Sequence, residues 1–215
     1  ILEQAVTRGD GLVGEDVTMN VRTITNVPLK LKGDPKDLPE EVEVRGEVII
    51  FKDDFAKINQ RQIEKKEKTF ANPRNLAAGS IRQLDPKVAA SRPLRFMAYD
   101  LVTPNLATNQ LAYQTIRKFG FQTSMQDRTF DSLDQVIAEI HHLGEIRASL
   151  PFGTDGMVIK INDRKIYQDL GIIGKTPRAA VAYKYPAEEA TTKVRDIVIS
   201  IGRTGAATPV AIFDP

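Results

Sequence analysis

Apolar residues recur along the chain in two rhythms, one of period two and one near 3.6, and together they predict an α+β domain. The clearest period-two stretch is 154–162, where Met157, Ile159 and Ile161 share one face and Val158 and Lys160 the other. In 180–186, Lys184 shares its face with the small residues Ala180 and Ala182. In 41–50, Val42, Val44, Val48 and Ile50 point one way and Glu43, Arg45 and Glu47 the other. Gly46 sits mid-strand there, which predicts that something comes close to the backbone. The stretch 94–101 puts Met97, Tyr99 and Leu101 on one face. Residues 1–6 and 28–31 also read as strands. From Lys193 the pattern is all β: Ile197, Ile199 and Ile201 alternate, and Gly202-Arg203-Thr204-Gly205 turns the chain into 207–213.

Between the strands the helical rhythm predicts elements over 53–68 (Phe55, Ile58 and Ile63 inward), 109–119 (closed by Gly120) and 132–147 (Val136, Ile137 and Ile140 inward). Asp16 and Asp163 are placed to cap two short helices, the first carrying Val17, Val21 and Ile24. In 72–85, Asn72 is a good N-cap, Pro73 suits the first helical position, and Leu76, Ser80, Ile81 and Leu84 form an inward stripe. Arg74, Ala78 and Arg82 stack on a different face, where two arginines flanking a small residue admit a phosphate backbone.

Composition narrows the chemistry. The 215 residues are 41% hydrophobic and 27% charged, with no apolar run long enough for a membrane span. The net charge of +2 does not by itself imply a nucleic-acid partner, so an anion must be met by local clusters. With no cysteine and two adjacent histidines, His141 and His142, which read as surface residues, the usual metal ligands are scarce. Two lysines in neighbouring strands, Lys160 and Lys184, with a carboxylate-bearing strand elsewhere, suggest a pocket for phosphate. The glycines of Thr7-Arg8-Gly9-Asp10-Gly11 mark a tight turn. Its Arg-Gly-Asp spelling matches an adhesion motif, but nothing else in the chain looks extracellular. Both ends read as the middle or end of a strand, as expected of a piece of a longer protein, with one domain over 1–195 and the start of a β-barrel over 196–215.

Six motifs occur together in order: Thr7-Arg8-Gly9-Asp10-Gly11, Val44-Arg45-Gly46-Glu47, ANPRNLAAGSIRQLD (71–85), TDGMVIKIN (154–162), AVAYKYP (180–186) and GRTGAATPVA (202–211). In this the chain resembles the bacterial NAD-dependent DNA ligases over essentially its whole length, and the run at 71–85 resembles that branch rather than the ATP-dependent ligases or capping enzymes. The resemblance implies a nucleotidyltransferase (ATP-grasp-like) fold of antiparallel sheets with flanking helices, running into the first strands of an OB-fold. It implies sealing of nicks in duplex DNA, with NAD as adenylate donor and Mg²⁺ assisting, in a cytoplasmic and monomeric enzyme whose zinc site lies outside this chain. By the same resemblance Arg8 and Glu47 line the nucleoside pocket, Tyr99 stacks on adenine, and Lys160 and Lys184 neutralise the α-phosphate. Arg74, Arg82 and Arg147 hold DNA phosphates, and Asp155 supports the Lys160 strand. One departure stands out. The family's nucleophile is the lysine of a Lys-x-Asp-Gly motif, and none occurs in these 215 residues. The look-alike Arg8-Gly9-Asp10-Gly11 offers an arginine, which stays protonated and cannot attack. In the family the motif lies just upstream of that loop, which here places it before Ile1, so the chain alone is expected to be inactive. The alternative is a non-catalytic nucleic-acid-binding module on the same scaffold.

Overall fold

The computed structural model describes residues 1–34, 36, 38–103, 106–124, 127–174, 176–186, 191–202 and 205–214. Its elements, in order, are α1 (Thr18–Val21), β1 (Glu43–Ile49), α2 (Lys52–Glu64), α3 (Pro73–Ile81), α4 (Pro86–Ala90), β2 (Arg95–Val102), α5 (Asn109–Lys118) and α6 (Leu133–Ile146). After a single 3₁₀ turn, Arg147–Ser149, come β3 (Gly156–Lys160), α7 (Arg164–Asp169), β4 (Ile172–Ile173), β5 (Thr176–Pro177), β6 (Ala180–Lys184), β7 (Val194–Ile201) and β8 (Ala207–Phe213). Every ladder among the described residues is an antiparallel pair: β1 with β2, β3 with β6, β4 with β5, β7 with β8. The chain divides into two compact units, 1–184 and 185–215.

In the first unit, one apolar cluster gathers Val17, Val21 and Ile24 around α1 with Ile50, Ile58, Leu76, Ile81 and Leu94. A second joins Ala98 and Leu101 of β2 to Ala112, Ile116 and Phe119 of α5. Phe96 and Phe121 pack against both, their rings meeting edge to face at 6.0 Å. Each Ile or Leu buried this way contributes roughly 1.5–3 kcal/mol. Three asparagine amides fasten the connecting loops. Asn26 and Asn59 each exchange two hydrogen bonds with a backbone, at Phe96 and Phe70, and buried Asn20 donates to the carbonyls of Ile81 and Gln83.

Several expectations give way here for identifiable reasons. Residues 1–6 form no strand beyond a single bridge, Val6 to Asp16, and 28–31 form none. The helix expected to run to residue 85 stops at Ile81, where Asn20 takes the carbonyls that another turn would have used, and Leu84 lies fully exposed. Ile63 is exposed because it lies five residues, about 140° of helical rotation, beyond buried Ile58. In α6 the inward stripe is Val136, Glu139, Ile140 and Leu143, and Ile137 falls off it. The expected caps Asn72 and Asp163 each accept from the backbone N–H three residues on, as Ser132 does at the start of α6. Asp16 accepts from the Thr18 N–H but lies one residue too early to cap α1, whose N-cap is Val17, without a side-chain cap bond.

In the second unit β7 and β8 form a hairpin with Ile197, Ile199 and Ile201 exposed on one face. Gly205 closes its turn at positive φ, donating to the Gly202 carbonyl. Arg203 and Thr204 of the expected turn lie outside the described residues.

Candidate nucleotide site

The site is built on an irregularity. Along β1 and β2, Arg45 faces Asp100 but Gly46 faces Ala98, so Tyr99 is an extra residue bulged out of the ladder. A bulge breaks the two-residue alternation and re-aims the side chain at it. Tyr99 therefore does not share a face with Leu101, as the alternation predicts. Leu101 and Ala98 are buried, whereas Tyr99 is 47% exposed. The close approach at Gly46 is also of a different kind from a ligand: a Cβ there would lie 2.3 Å from the Phe96 ring and 2.6 Å from the Met97 carbonyl. Glycine at 46 lets the core aromatic pack directly beneath the bulge.

Lys160 ends β3 and reaches back to this bulge. Its Nζ donates to the Tyr99 carbonyl at 3.2 Å, and lies 5.6 Å from the centre of the Tyr99 ring and 6.0 Å from that of Tyr113 on α5. Burial lowers the pKa of this amine, Asp100 opposes the shift, and Arg164 adds to it. The result is a partly desolvated cation between two aromatic rings, poised to meet an anion where little water screens the interaction. Burial also raises the phenols, Tyr113 to about 12, helped by Asp127 and Asp100. Since Tyr113 ionises near 10 when unfolded, its share of stability is complete below pH 10 and is lost as pH rises through about 12. Denaturant titrations at pH 9 and 11 are therefore expected to show a smaller alkaline loss in Tyr113→Phe than in the parent chain.

The ladder of β3 with β6 sets Lys160 opposite Ala180 and Gly156 opposite Lys184. Residues directly opposite one another share a face, so the two lysines lie on the same face, four ladder positions or about 13 Å apart. Lys184 is exposed, as are Val158 and Ala182 between them. Gly156 is required by the pairing, because a Cβ there would lie 2.2 Å from the Tyr183 carbonyl.

Around this face the remaining expected residues divide. Arg74 bridges Glu47 of β1 at 3.5 Å and Asp155 at 3.7 Å, linking α3 to the two strands that flank the site. All three are well exposed, so these bridges contribute at most about 1 kcal/mol each and can be displaced by a ligand. Arg8 lies in the loop turned by Gly9 and Gly11, both at positive φ, close enough to act electrostatically on the Tyr99 phenol, as do Arg45, Asp100 and Glu47. Arg82 is exposed at the end of α3, its Nε donating to the Ala78 carbonyl. Arg147 opens the 3₁₀ turn after α6, partly exposed. No group of three His, Cys, Asp or Glu gathers among the described residues, and His141 and His142 are exposed.

Comparison with known proteins gives this arrangement its context. Residues 1–188 match the family model for the NAD-dependent DNA ligase adenylation domain. The chain belongs to that family. A DNA ligase of Halothermothrix orenii is 51% identical over 217 residues, and one of Thermomicrobium roseum is 49% identical over 222. One of Bdellovibrio bacteriovorus is 47% identical over 223. In each case the match takes in all of this chain and 32% of the relative, so the chain spans about a third of the length of these ligases.

For this adenylation-domain chain, several site-building residues escape a reading by motif. Tyr113 sits at the border of the buried stripe of an ordinary amphipathic helix, and Asp100 and Arg164 come from separate elements. Arg164 donates to the Leu101 carbonyl at 3.0 Å, and Asn109 donates to the Ile161 carbonyl at 2.7 Å, so α7 is tied to β2 and the start of α5 to the residue after Lys160. The one available signal for Tyr113 is its spacing: it follows buried Ala112 directly and lies one helical turn before buried Ile116, on the edge of their stripe.

Proposed function

We propose that this chain is the nucleotide-holding part of the adenylation domain of an NAD-dependent DNA ligase, a nucleotidyltransferase scaffold whose β7–β8 hairpin begins an OB-fold. The observation that carries this is the Lys160 amine, desolvated between Tyr99 and Tyr113 at a bulge that exposes the Tyr99 ring. In this reading adenine stacks on Tyr99, and Arg8 and Glu47 line the nucleoside. Lys160 and Lys184, on one face, meet the α-phosphate, with Asp155 holding the β3 end in place through Arg74. Transfer of an adenylyl group demands mainly positioning and charge neutralisation, which this set supplies.

The donor set fits the adenylate of NAD: an exposed aromatic face, an acid, and cations on one strand face. NAD supplies the adenylyl group when bound. The attacking amine belongs to a Lys-x-Asp-Gly segment that this sequence does not contain, and adenylate then passes to the 5′-phosphate of a nick. Magnesium fits less well. Two carboxylates beside the site, Glu47 and Asp155, are both engaged by Arg74, and no protein cage for a hard cation is formed by the described residues. No step here is assigned to the ion.

Two measurements test these assignments. Titration of AMP into the chain, followed calorimetrically, is expected to show binding that Tyr99→Ala weakens by about tenfold, the worth of one stacked base. Unchanged affinity removes Tyr99 from the site. For DNA, Arg74 and Arg82 are expected to contribute counterion release, so Arg74→Ala with Arg82→Ala in a complete ligase flattens the slope of log affinity against log salt by up to about two. A slope left unchanged means that Arg74 serves Glu47 and Asp155 alone. The absence of Lys-x-Asp-Gly also keeps open a non-catalytic nucleic-acid-binding module, which would bind DNA with that slope yet bind no AMP.

A further inference from the structure

We infer that the cleft between α2, α4 and the start of β2 binds a small phosphate-bearing ligand, at a site separate from Lys160 and Tyr99. The cleft has a volume of about 510 Å³, within the range of small-ligand sites. Four cations line it: Lys57 and Arg61, one turn apart on α2, and Arg92 and Arg95 from the segment leading into β2. Asp54 is the one carboxylate in the lining, so the cleft carries a clear excess of positive charge in a chain whose net charge is only +2.

That charge is held in place but poorly compensated. The Arg92 guanidinium lies 5.1 Å from the centre of the Phe70 ring and Arg95 lies 4.5 Å from that of Phe51, so each cation sits over an aromatic face. Asp54 approaches Arg95 at 3.8 Å and Lys57 at 3.9 Å, which are ion-pair distances too long for hydrogen bonds. The buried Nε–H groups of Arg92 and Arg95 have no acceptor, and buried donors of this kind are rare without a reason. Half-buried guanidinium groups that line a cleft and are only loosely met by its single carboxylate are suited to a phosphate, whose oxygens match their planar fork and whose charge offsets the excess. Ile58 and Leu94 line the cleft beside them, giving an apolar wall for the organic part of the ligand.

Phosphate could come from a free small molecule or from a DNA backbone. The concave shape and the four-to-one excess of cations favour a terminal phosphate, with two negative charges, over a backbone diester with one. The probe is inorganic pyrophosphate, titrated calorimetrically into the 215-residue chain, with a short unnicked duplex as competitor. One saturable site is expected. Lys57→Ala with Arg61→Ala should weaken it by about tenfold, the loss of a charge-assisted bond, and Asp54→Asn should tighten it. Both changes on α2 are at exposed positions, and thermal melts confirm folding. Lys160→Met, and the equal charge loss at exposed Lys118 and Lys165, should leave it unchanged. The inference is overturned if pyrophosphate does not saturate, or if the duplex displaces it. It is also overturned if Lys118→Ala with Lys165→Ala weakens binding as much. Loss in Lys160→Met would place the binding at the adenylate site instead.

Discussion

Replacing Lys160 by methionine in a ligase that carries the Lys-x-Asp-Gly segment is expected to slow adenylate transfer by about a hundredfold to a thousandfold, the scale of one preorganised charge at a developing anion. Methionine keeps the length and apolar stem of the side chain, so the packing between Tyr99 and Tyr113 survives while the charge is lost. The partly desolvated position magnifies the effect, because an ammonium already stripped of water on two sides interacts with phosphate through a lower dielectric. Lys160→Arg should recover only part of the rate. The amine donates to the Tyr99 carbonyl as a compact point charge, a geometry that a planar fork does not reproduce. The discriminating measurement is single-turnover transfer from NAD alongside AMP affinity. If Lys160→Met lowers neither, the amine is a structural tie between β3 and the bulge and the phosphate role falls.

Lys160 and Lys184 were legible on one face because β3 and β6 keep strict alternation from end to end, so period two in sequence maps directly onto the sheet. The caps at Asn72 and Asp163 were legible for a similar reason: a side-chain acceptor three residues before its N–H is a local geometry. Tyr99 was misplaced because a bulge costs one residue of register and leaves no mark in an apolar pattern, so alternation continued through it in sequence but not in space. Leu84 failed for a tertiary reason, since the acceptors that a longer α3 would have used are taken by Asn20, more than sixty residues away. Gly46 was read correctly as a point of close approach, but the approaching group is Phe96, and only packing distinguishes a core ring from a ligand. The convergence of Asp100 and Arg164 on Lys160 had no linear signature, and Tyr113 had only its place beside the buried stripe of α5.

The second large effect concerns covalent chemistry, and it is all or none. The chain is expected to form no adenylyl adduct, because its two candidate amines are assigned to hold phosphate, and a lysine paired with phosphate stays protonated and cannot attack. Burial lowers the pKa of Lys160, which by itself favours the neutral amine. A bound phosphate reverses that tendency, because an anion beside the amine favours its charged form. The measurement is incubation with radiolabelled NAD, followed by a denaturing gel and peptide mapping, on the 215-residue chain and on a longer protein that includes Lys-x-Asp-Gly. Label on the longer protein alone, at the lysine of that motif, is the predicted result. Label on the 215-residue chain at Lys160 or Lys184 would contradict the assignment of those residues to phosphate binding.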